Sequence, residues 1–221
     1  MRRILFIYTI GCVFLSSGCA HFPVKPISRD ETQILLDDFQ SRLANKYEIL
    51  SLVVFKYRFF FLSSLGMTSV DLAQDHLAVA GMTPVGITLF KIVSDGGKIT
   101  QSFVIPELLK RGNVAKAVAE NIRDIYFDLV PGQVISAYNR DGKIYFRTPV
   151  SDRIQNEYVF SDKDRTLMEK RLYKDGKLFW RIFYGGWSVD SRGKIYPKGV
   201  RLLHRAYKYQ LLLNVKEVRP L

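Results

Sequence analysis

The side chains that most often do chemistry in proteins are sparse or poorly spaced in this 221-residue chain. His21, His76 and His204 are the three histidines, and they lack the HxH or HExxH spacing of a metal site. Residues 186–190 (Gly-Trp-Ser-Val-Asp) lack the second glycine of the GxSxG nucleophile elbow. No local spacing nominates a carboxylate pair for acid–base catalysis. We therefore expect no catalytic residue, no metal, no cofactor and no enzyme.

Cys19 is the one reactive side chain with an informative context. Arg2 and Arg3 precede an apolar run, residues 4–15, which is too short to span a membrane and is flanked like a secretory signal. The small residues before Cys19 resemble the lipobox of bacterial lipoproteins, although Ser16 stands where the usual pattern has leucine. An ordinary secretory signal with a chance cysteine, or an uncleaved anchor, is the alternative.

The lipobox resemblance implies how the N-terminus is processed. In such lipoproteins the signal is cut before the cysteine, which then carries acyl chains such as palmitate. Residues 1–18 are thus expected to be a signal peptide, and residues 19–28 a lipidated tether. Pro23 and Pro26 interrupt any periodic pattern in that tether.

The net charge of the mature protein is strongly positive. The formal charge is +12, and removal of Arg2 and Arg3 leaves +10, spread along the chain as a general cationic surface. In an envelope protein this charge suits anionic headgroups or acidic polysaccharide rather than nucleic acid.

Cys12 leaves with the signal, so no free thiol or disulfide is expected. Ala20 is not the aspartate that marks inner-membrane retention, which implies the periplasmic face of a Gram-negative outer membrane. No later segment can span a membrane, so the lipid is the expected anchor.

Apolar periodicity predicts two helices. The first covers residues 31–45 and is capped by Ser28 or Asp30. Its apolar stripe comprises Ile34, Leu35, Phe39 and Leu43. The second follows Asn113 and ends before Pro131.

The rest of the chain has the alternation and turns of antiparallel strands. Along the first strand, which begins at Ile49, one face is expected to carry Val53, Phe55, Tyr57, Phe59 and Phe61. Further strands are expected over residues 67–72, 76–80, 86–93, 98–105, 133–139, 143–148, 155–160, 165–173, 177–189 and 200–218. Gly-Lys-apolar turns begin at Gly96 (with Gly97 next), Gly142, Gly176 and Gly193. In the first three, Asp-Gly supplies the positive φ values of two-residue hairpins. An α+β layout follows.

This order of elements resembles the LolA/LolB-type lipoprotein carrier fold. More specifically, residues 80–90, the Asp95-Gly96 turn and residues 127–131 resemble an uncharacterised, LolB-like family of bacterial lipoproteins, a domain of unknown function. The resemblance implies one LolB-like domain over residues 29–221. Its fold would be a curved antiparallel sheet forming an unclosed (half) β-barrel covered by helices.

Aromatic residues are the best candidates for a binding surface. The expected lining residues are Phe55, Tyr57, Phe59, Phe61, Trp180, Ile182, Tyr207 and Tyr209. Ordinary core packing is the alternative for each of them. LolB presents an exposed apolar side chain on a loop between strands, and the resemblance implies a membrane or partner loop at Met82 and Val85.

Three functions fit these features to different degrees. The first is an outer-membrane lipoprotein that binds a lipid, or the acyl chains of another lipoprotein, in an apolar cavity. It would serve envelope lipid or lipoprotein transfer, with a periplasmic carrier protein as a partner. The second is an assembly or scaffold lipoprotein with a filled core that binds a protein. The third, an esterase or lipid-modifying enzyme, has no supporting constellation.

Overall fold

The computed structural model describes residues 24–110 and 113–221. The helices are α1 (Arg29–Arg42), α2 (Pro106–Leu109) and α3 (Val114–Tyr126). The strands are β1 (Lys25–Pro26), β2 (Lys46–Tyr57), β3 (Phe60–Asp71), β4 (His76–Met82), β5 (Thr88–Asp95), β6 (Lys98–Val104), β7 (Ser136–Arg140), β8 (Lys143–Ser151), β9 (Ile154–Ser161), β10 (Leu167–Lys174), β11 (Lys177–Tyr184), β12 (Trp187–Val189), β13 (Ile195–Pro197), β14 (Gly199–His204) and β15 (Tyr209–Pro220). The predicted signal and the lipidation site at Cys19 lie outside the described residues.

One 13-stranded sheet dominates the described part of the chain, in the order β1-β7-β8-β9-β10-β11-β14-β15-β2-β3-β4-β5-β6. Neighbouring strands in this sheet are antiparallel, and β12 pairs with β13 in a separate two-stranded sheet. The outermost strands, β1 and β6, do not pair with each other. The predicted antiparallel and unclosed sheet is thus confirmed.

Turn chemistry explains most of the hairpins. Asp141–Gly142 and Asp175–Gly176 both take positive φ, as two-residue turns of this kind require. After β5 the turn residues are Gly96–Gly97 rather than Asp95 and Gly96, because Asp95 pairs with Lys98 across the ladder.

The strand expected to continue through Phe61 is instead a hairpin. Tyr57 ends β2 and pairs with Phe60 of β3, so Arg58 and Phe59 form the turn. Arg58 adopts φ 51°, a left-handed conformation for which the sequence offers no glycine or asparagine. Reversal of the chain places Phe59 at the tip and Phe61 on the opposite face from Tyr57.

Two other predicted strands are also interrupted. Residues 177–189 divide into β11 and β12 at Gly185 and Gly186, and residues 200–218 divide into β14 and β15 at residues 205–208. Lys208 takes φ 56° in the second of these turns. These breaks convert two long strands into four shorter ones.

Helix α1 begins and ends slightly earlier than predicted. Ser28 caps it, and Glu31 completes a capping box by accepting from the Ser28 backbone N–H at 3.1 Å. Its buried residues are Thr32, Leu35, Leu36 and Phe39. Ile34, expected on the apolar stripe, is 62% exposed. The helix therefore faces the core about one position away from the predicted stripe.

Contacts of α3 show that the sheet is strongly curved. Ala119 shares a buried cluster with Ile92 of β5, while the Tyr184 hydroxyl of β11 donates to the Ile125 carbonyl at 2.9 Å. In sheet order, β5 and β11 are six strand spacings apart, about 29 Å if the sheet were flat. The two positions on α3 are only about 9 Å apart along the helix axis. The sheet must bend for one short helix to reach both strands.

Aromatic residues pack against the buried face of α1. The ring of Phe39 meets Phe160 of β9 at a centroid distance of 5.0 Å and Trp187 at 5.3 Å, both edge to face.

Among the described residues, no helix has the length and apolar character needed to cross a membrane.

Phe39→Ala tests this packing. Phe39 is fully buried, so we expect the substitution to lower the free energy of unfolding by about 3–5 kcal/mol in urea titrations. Ile34→Ala on the same helix is the matched control, and it should change stability by less than about 0.5 kcal/mol because Ile34 is exposed. Equal effects at the two positions would contradict the orientation of α1.

Candidate ligand-binding cavity

A cavity of about 890 Å³ lies between α3 and the strands β2–β5 and β15. Its lining residues are Val53, Phe55, Tyr57, Arg58, Phe60, Leu62, Ser64, Gly66, Thr68, Val79, Phe90, Leu108, Asn113, Ala117, Val118, Asn121, Ile122, Ala206, Tyr207, Lys208, Tyr209, Leu211 and Leu213. Ligand pockets commonly have volumes of about 300–1,000 Å³ and mostly apolar walls. The cavity has both properties.

Strand alternation supplies most of the wall. Every second residue of β2 and β3 points to the same side of the hairpin, so Phe55 and Tyr57 share the cavity with Phe60 and Leu62. Strand β15 continues this surface because Tyr209 pairs directly with Tyr57. An apolar strip therefore crosses three adjacent strands.

Two glycines let large side chains lie flat on the sheet. Gly81 pairs with Phe90, and a Cβ atom at Gly81 would clash with the Phe90 ring. A Cβ atom at Gly66 would lie 2.8 Å from Cγ2 of Val53. The missing side chains at these positions allow Phe90 and Val53 to form the wall without being pushed into the cavity.

The mouth is formed where several strand connections meet at one edge of the sheet. The β2–β3 turn and the β14–β15 turn are neighbours, because Tyr57 and Tyr209 are paired. The β4–β5 loop, residues 83–87, lies at the same edge because β4 runs towards it from its pairing with β3. Val85 at its tip is 82% exposed, and Phe59 at the tip of the β2–β3 turn is fully exposed. Exposed apolar side chains thus project from the same edge of the sheet as the opening.

An aromatic cluster holds the β14–β15 turn in place. The buried His204 ring lies 4.5 Å from Tyr207, 4.9 Å from Tyr209 and 4.8 Å from Phe179. The backbone N–H of Tyr207 donates to Nδ1 of His204 at 3.3 Å. Burial lowers the pKa of His204 to about 4, so its ring is neutral at pH 7 and can accept this bond.

One polar link joins the helix to the sheet inside the cavity. The Tyr209 hydroxyl donates to Oδ1 of Asn121 at 2.7 Å. Burial raises the pKa of Tyr209 to about 12, so the hydroxyl keeps its proton. This bond positions the wall formed by α3 relative to β15.

The far end of α3 is fixed by a buried lysine. The Lys170 ammonium donates to the backbone carbonyls of Asp124 at 3.3 Å and Phe127 at 3.2 Å. It also lies 5.7 Å from the Tyr158 ring and 5.8 Å from the Trp180 ring. Burial lowers the pKa of Lys170, but the carbonyls at the helix C-terminus provide partners for its charge.

Four of the eight aromatic or apolar residues expected in a cavity line this one. They are Phe55, Tyr57, Tyr207 and Tyr209. Whether they contact a ligand stays a prediction.

The other four do not line it. Trp180 and Ile182 lie in the packed core, where the Lys170 ammonium and α3 occupy the space beside them. Phe59 and Phe61 are exposed, because the chain reverses at the Arg58 turn.

The structure shows only where the predicted membrane or partner loop lies in the fold. Met82 is the last residue of β4, and Val85 is exposed beyond it. A membrane or partner role for this loop stays a prediction.

Sequence reasoning missed the helical wall. Asn113, Ala117 and Asn121 recur every four residues and line the cavity on one side of α3, beside Val118. The spacing of these small and polar residues next to an apolar stripe was the available signal.

A second cavity, about 780 Å³, lies between α1 and residues 130–137. The side chains that α1 contributes to its wall are mainly polar: Arg29, Thr32, Gln33, Asp37 and Gln40. It suits an acyl chain less well than the first cavity does.

Several solved structures share the fold of this chain. A LolA-superfamily protein from Nitrosomonas europaea superposes with a TM-score of 0.58 at 10% identity, covering 85% of this chain and 92% of that chain. A domain from Vibrio parahaemolyticus, provisionally described as an outer membrane lipoprotein-sorting protein, gives 0.51 at 8% identity, covering 84% and 90%. A DUF1329 family protein from Desulfovibrio piger gives 0.54 at 9% identity, covering 89% and 93%. The chain therefore has the fold of the LolA superfamily.

The sequence itself identifies the family. Residues 64–217 match the family described as "Protein of unknown function (DUF3261)", and the chain belongs to that family. This confirms the expectation of an uncharacterised, LolA/LolB-like family. No functionally curated protein matches the sequence.

Asp124→Asn tests the electrostatics at the end of α3. Burial raises the pKa of Asp124 from 3.8 to about 6, despite the nearby Lys170 charge. Between these values Asp124 binds more protons in the folded state than in the unfolded state, so its own contribution to stability falls as pH rises from 4 to 6. Asparagine does not titrate, so the stability of the variant relative to wild type should increase from pH 4 to pH 7 in urea titrations. A constant difference across this range would contradict a raised pKa.

Proposed function

We propose that this protein is a non-enzymatic carrier that binds an amphiphile by its acyl chain in the cavity beneath α3. The observation that carries the proposal is a mostly apolar space of about 890 Å³ beside the packed core, whereas the second cavity has mainly polar side chains from α1. An acyl chain gains about 0.8 kcal/mol for each methylene removed from water. The amphiphile is a lipid or the acyl part of another lipoprotein.

The character of the wall favours binding over catalysis. Its uncharged polar side chains, besides the tyrosines, are Ser64, Thr68, Asn113 and Asn121. The described lining contributes no histidine, cysteine or carboxylate that would act as a base beside the two hydroxyls. We propose that α3 acts as a cover over the open side of the sheet.

The N-terminal sequence supports an envelope location. We propose that residues 1–18 are removed, that Cys19 is acylated, and that the tether holds the domain at the periplasmic face of the outer membrane. A periplasmic carrier protein would deliver or receive the amphiphile. The LolA-superfamily fold agrees with such a role.

The apolar edge around the mouth suits contact with a bilayer. Val85 and Phe59 project beside the opening, and we propose that they enter the headgroup region while the tether keeps the domain nearby. An acyl chain would then pass between bilayer and cavity without crossing bulk water.

The first test compares two aromatic positions on one hairpin in an unlipidated protein that lacks residues 1–18 and carries Cys19→Ser, called the Cys19→Ser chain below. Tyr57→Asp places a carboxylate in the cavity, and we expect it to reduce the lipid extracted from the purified protein at least tenfold by mass spectrometry. Phe61→Asp is the matched control, since Phe61 is exposed on the outer face, and it should retain the wild-type amount.

The alternative function has its own outcome in this test. A wild-type protein that carries no lipid would contradict the carrier and favour an assembly lipoprotein that binds a protein partner. Equal lipid loss in both variants would show that Tyr57 does not act through the cavity.

The second test compares two exposed valines at opposite edges of the domain. Val85→Asp should weaken binding of the Cys19→Ser chain to anionic vesicles about tenfold in sedimentation, because burial of one valine contributes about 1.5 kcal/mol. Val189→Asp is the control: Val189 lies in the β12–β13 hairpin, which follows the end of β11 remote from the mouth. Equal losses would indicate a general charge effect instead of contact through the mouth.

A further inference from the structure

The charged side chains that line the cavity have one sign. They are Arg58 and Lys208, which are both positive, and no described Asp or Glu lines the cavity. A purely acyl ligand has no need of a cation, so the pair indicates what the other end of the ligand carries.

The two cations are neighbours at the mouth. Arg58 follows Tyr57, and Lys208 precedes Tyr209, while these two tyrosines face each other across the β2–β15 ladder. Paired residues in an antiparallel ladder have Cα atoms about 4.5–5.5 Å apart. The two turns therefore bring both positive charges to one side of the opening, above the apolar strip.

Neither charge is neutralised by the described part of the protein. The Arg58 guanidinium lies over the Tyr57 ring at 5.4 Å, and no described carboxylate forms an ion pair with it or with Lys208. Two adjacent unpaired cations repel each other, and an anion placed between them removes that repulsion.

Backbone conformation gives independent support. Arg58 and Lys208 take φ 51° and 56°, where long side chains are disfavoured. At comparable hairpin turns the chain uses Asp141 and Asp175 instead. Arg165 is the third basic residue with positive φ, and its carbonyl accepts from Arg42 at 2.8 Å. A cation at both rim positions, against the local preference, indicates that the charge is used.

We infer that the amphiphile bound by this protein has an anionic headgroup, a phosphate or carboxylate, which Arg58 and Lys208 hold at the mouth while the acyl chain fills the cavity. This inference rests on the proposed carrier function. The guanidinium donates two parallel hydrogen bonds to the anion, and the ammonium contributes a point charge from the neighbouring turn.

The experiment measures the affinity of the lipid-free Cys19→Ser chain for single-chain palmitoyl amphiphiles by calorimetry below their aggregation concentrations. Lysophosphatidylglycerol and palmitate test phosphate and carboxylate heads. Lysophosphatidylcholine and monopalmitoylglycerol are the zwitterionic and neutral controls with the same chain. We expect at least one anionic ligand to bind tenfold or more tightly than both controls. Glycerol 3-phosphate, a headgroup without a chain, should not compete.

Charge removal tests the two residues. The double variant Arg58→Asn, Lys208→Asn uses a side chain that tolerates positive φ, and it should lose the preference for the anion while keeping the wild-type affinity for monopalmitoylglycerol. The control variant Lys177→Asn, Arg205→Asn removes the same charge from exposed positions at this edge that do not line the cavity, and it should keep the preference.

The outcomes separate the inference from the function on which it rests. Equal affinity for all four amphiphiles, or a preference that survives the double variant, overturns the anionic headgroup while the carrier stands. No binding of any amphiphile overturns both.

Salt provides a test that needs no variant. Between 50 and 500 mM salt, the wild-type affinity for the anionic ligand should fall several-fold, and the affinity for monopalmitoylglycerol should not. If salt changes neither the affinity for the anionic ligand nor that for monopalmitoylglycerol, the inference is also overturned.

Discussion

The bond between the Lys170 ammonium and the last carbonyls of α3 is the contact on which the cavity depends. It joins strand β10 to the C-terminal end of a helix whose other end packs against β5 and β6. A buried ammonium is costly unless it is fully partnered, and the free carbonyls of a helix terminus supply those partners together with a favourable dipole. With this end fixed, α3 cannot sink further into the concave face of the sheet.

The consequence is an interior with two parts. Under α1, the fully buried Phe160 ring packs edge to face against both Phe39 and Phe146, which are also fully buried. Under the first turns of α3, the helix presents Ala117 and Asn121, which are too short to reach the facing strands except through Tyr209. A helix that is held at both ends and carries short side chains such as Ala117 and Asn121 on the face towards the cavity leaves a volume that those side chains do not fill.

Sequence patterns predicted the parts of this arrangement that depend on local chemistry. Asn113 and Ser28 cap helices, and Asp-Gly pairs form turns because φ preferences act over a few residues. The Arg58 turn could not be found this way, since its residues lack turn propensity and the surrounding apolar alternation continues through it. Trp180 illustrates the other limit: it is aromatic and alternates like a cavity residue, but it lies in the packed core beside Lys170, and no local pattern shows that Lys170 binds the end of α3 there.

An unfilled apolar space lowers the stability of a fold, because the atoms around it lose dispersion contacts. The pairing of Gly81 with Phe90 enlarges the cavity. The Phe90 ring lies against the sheet at Gly81, where any side chain in place of glycine would push the ring into the cavity. Such a site is tolerated when the surrounding elements are fixed by other contacts, as the capped helix α1, the Lys170 bond and the His204 cluster fix them here. Any amphiphile that enters binds only the folded state and adds stability by mass action. The same volume that weakens the empty domain therefore gives an acyl chain a larger gain on binding than a filled core would.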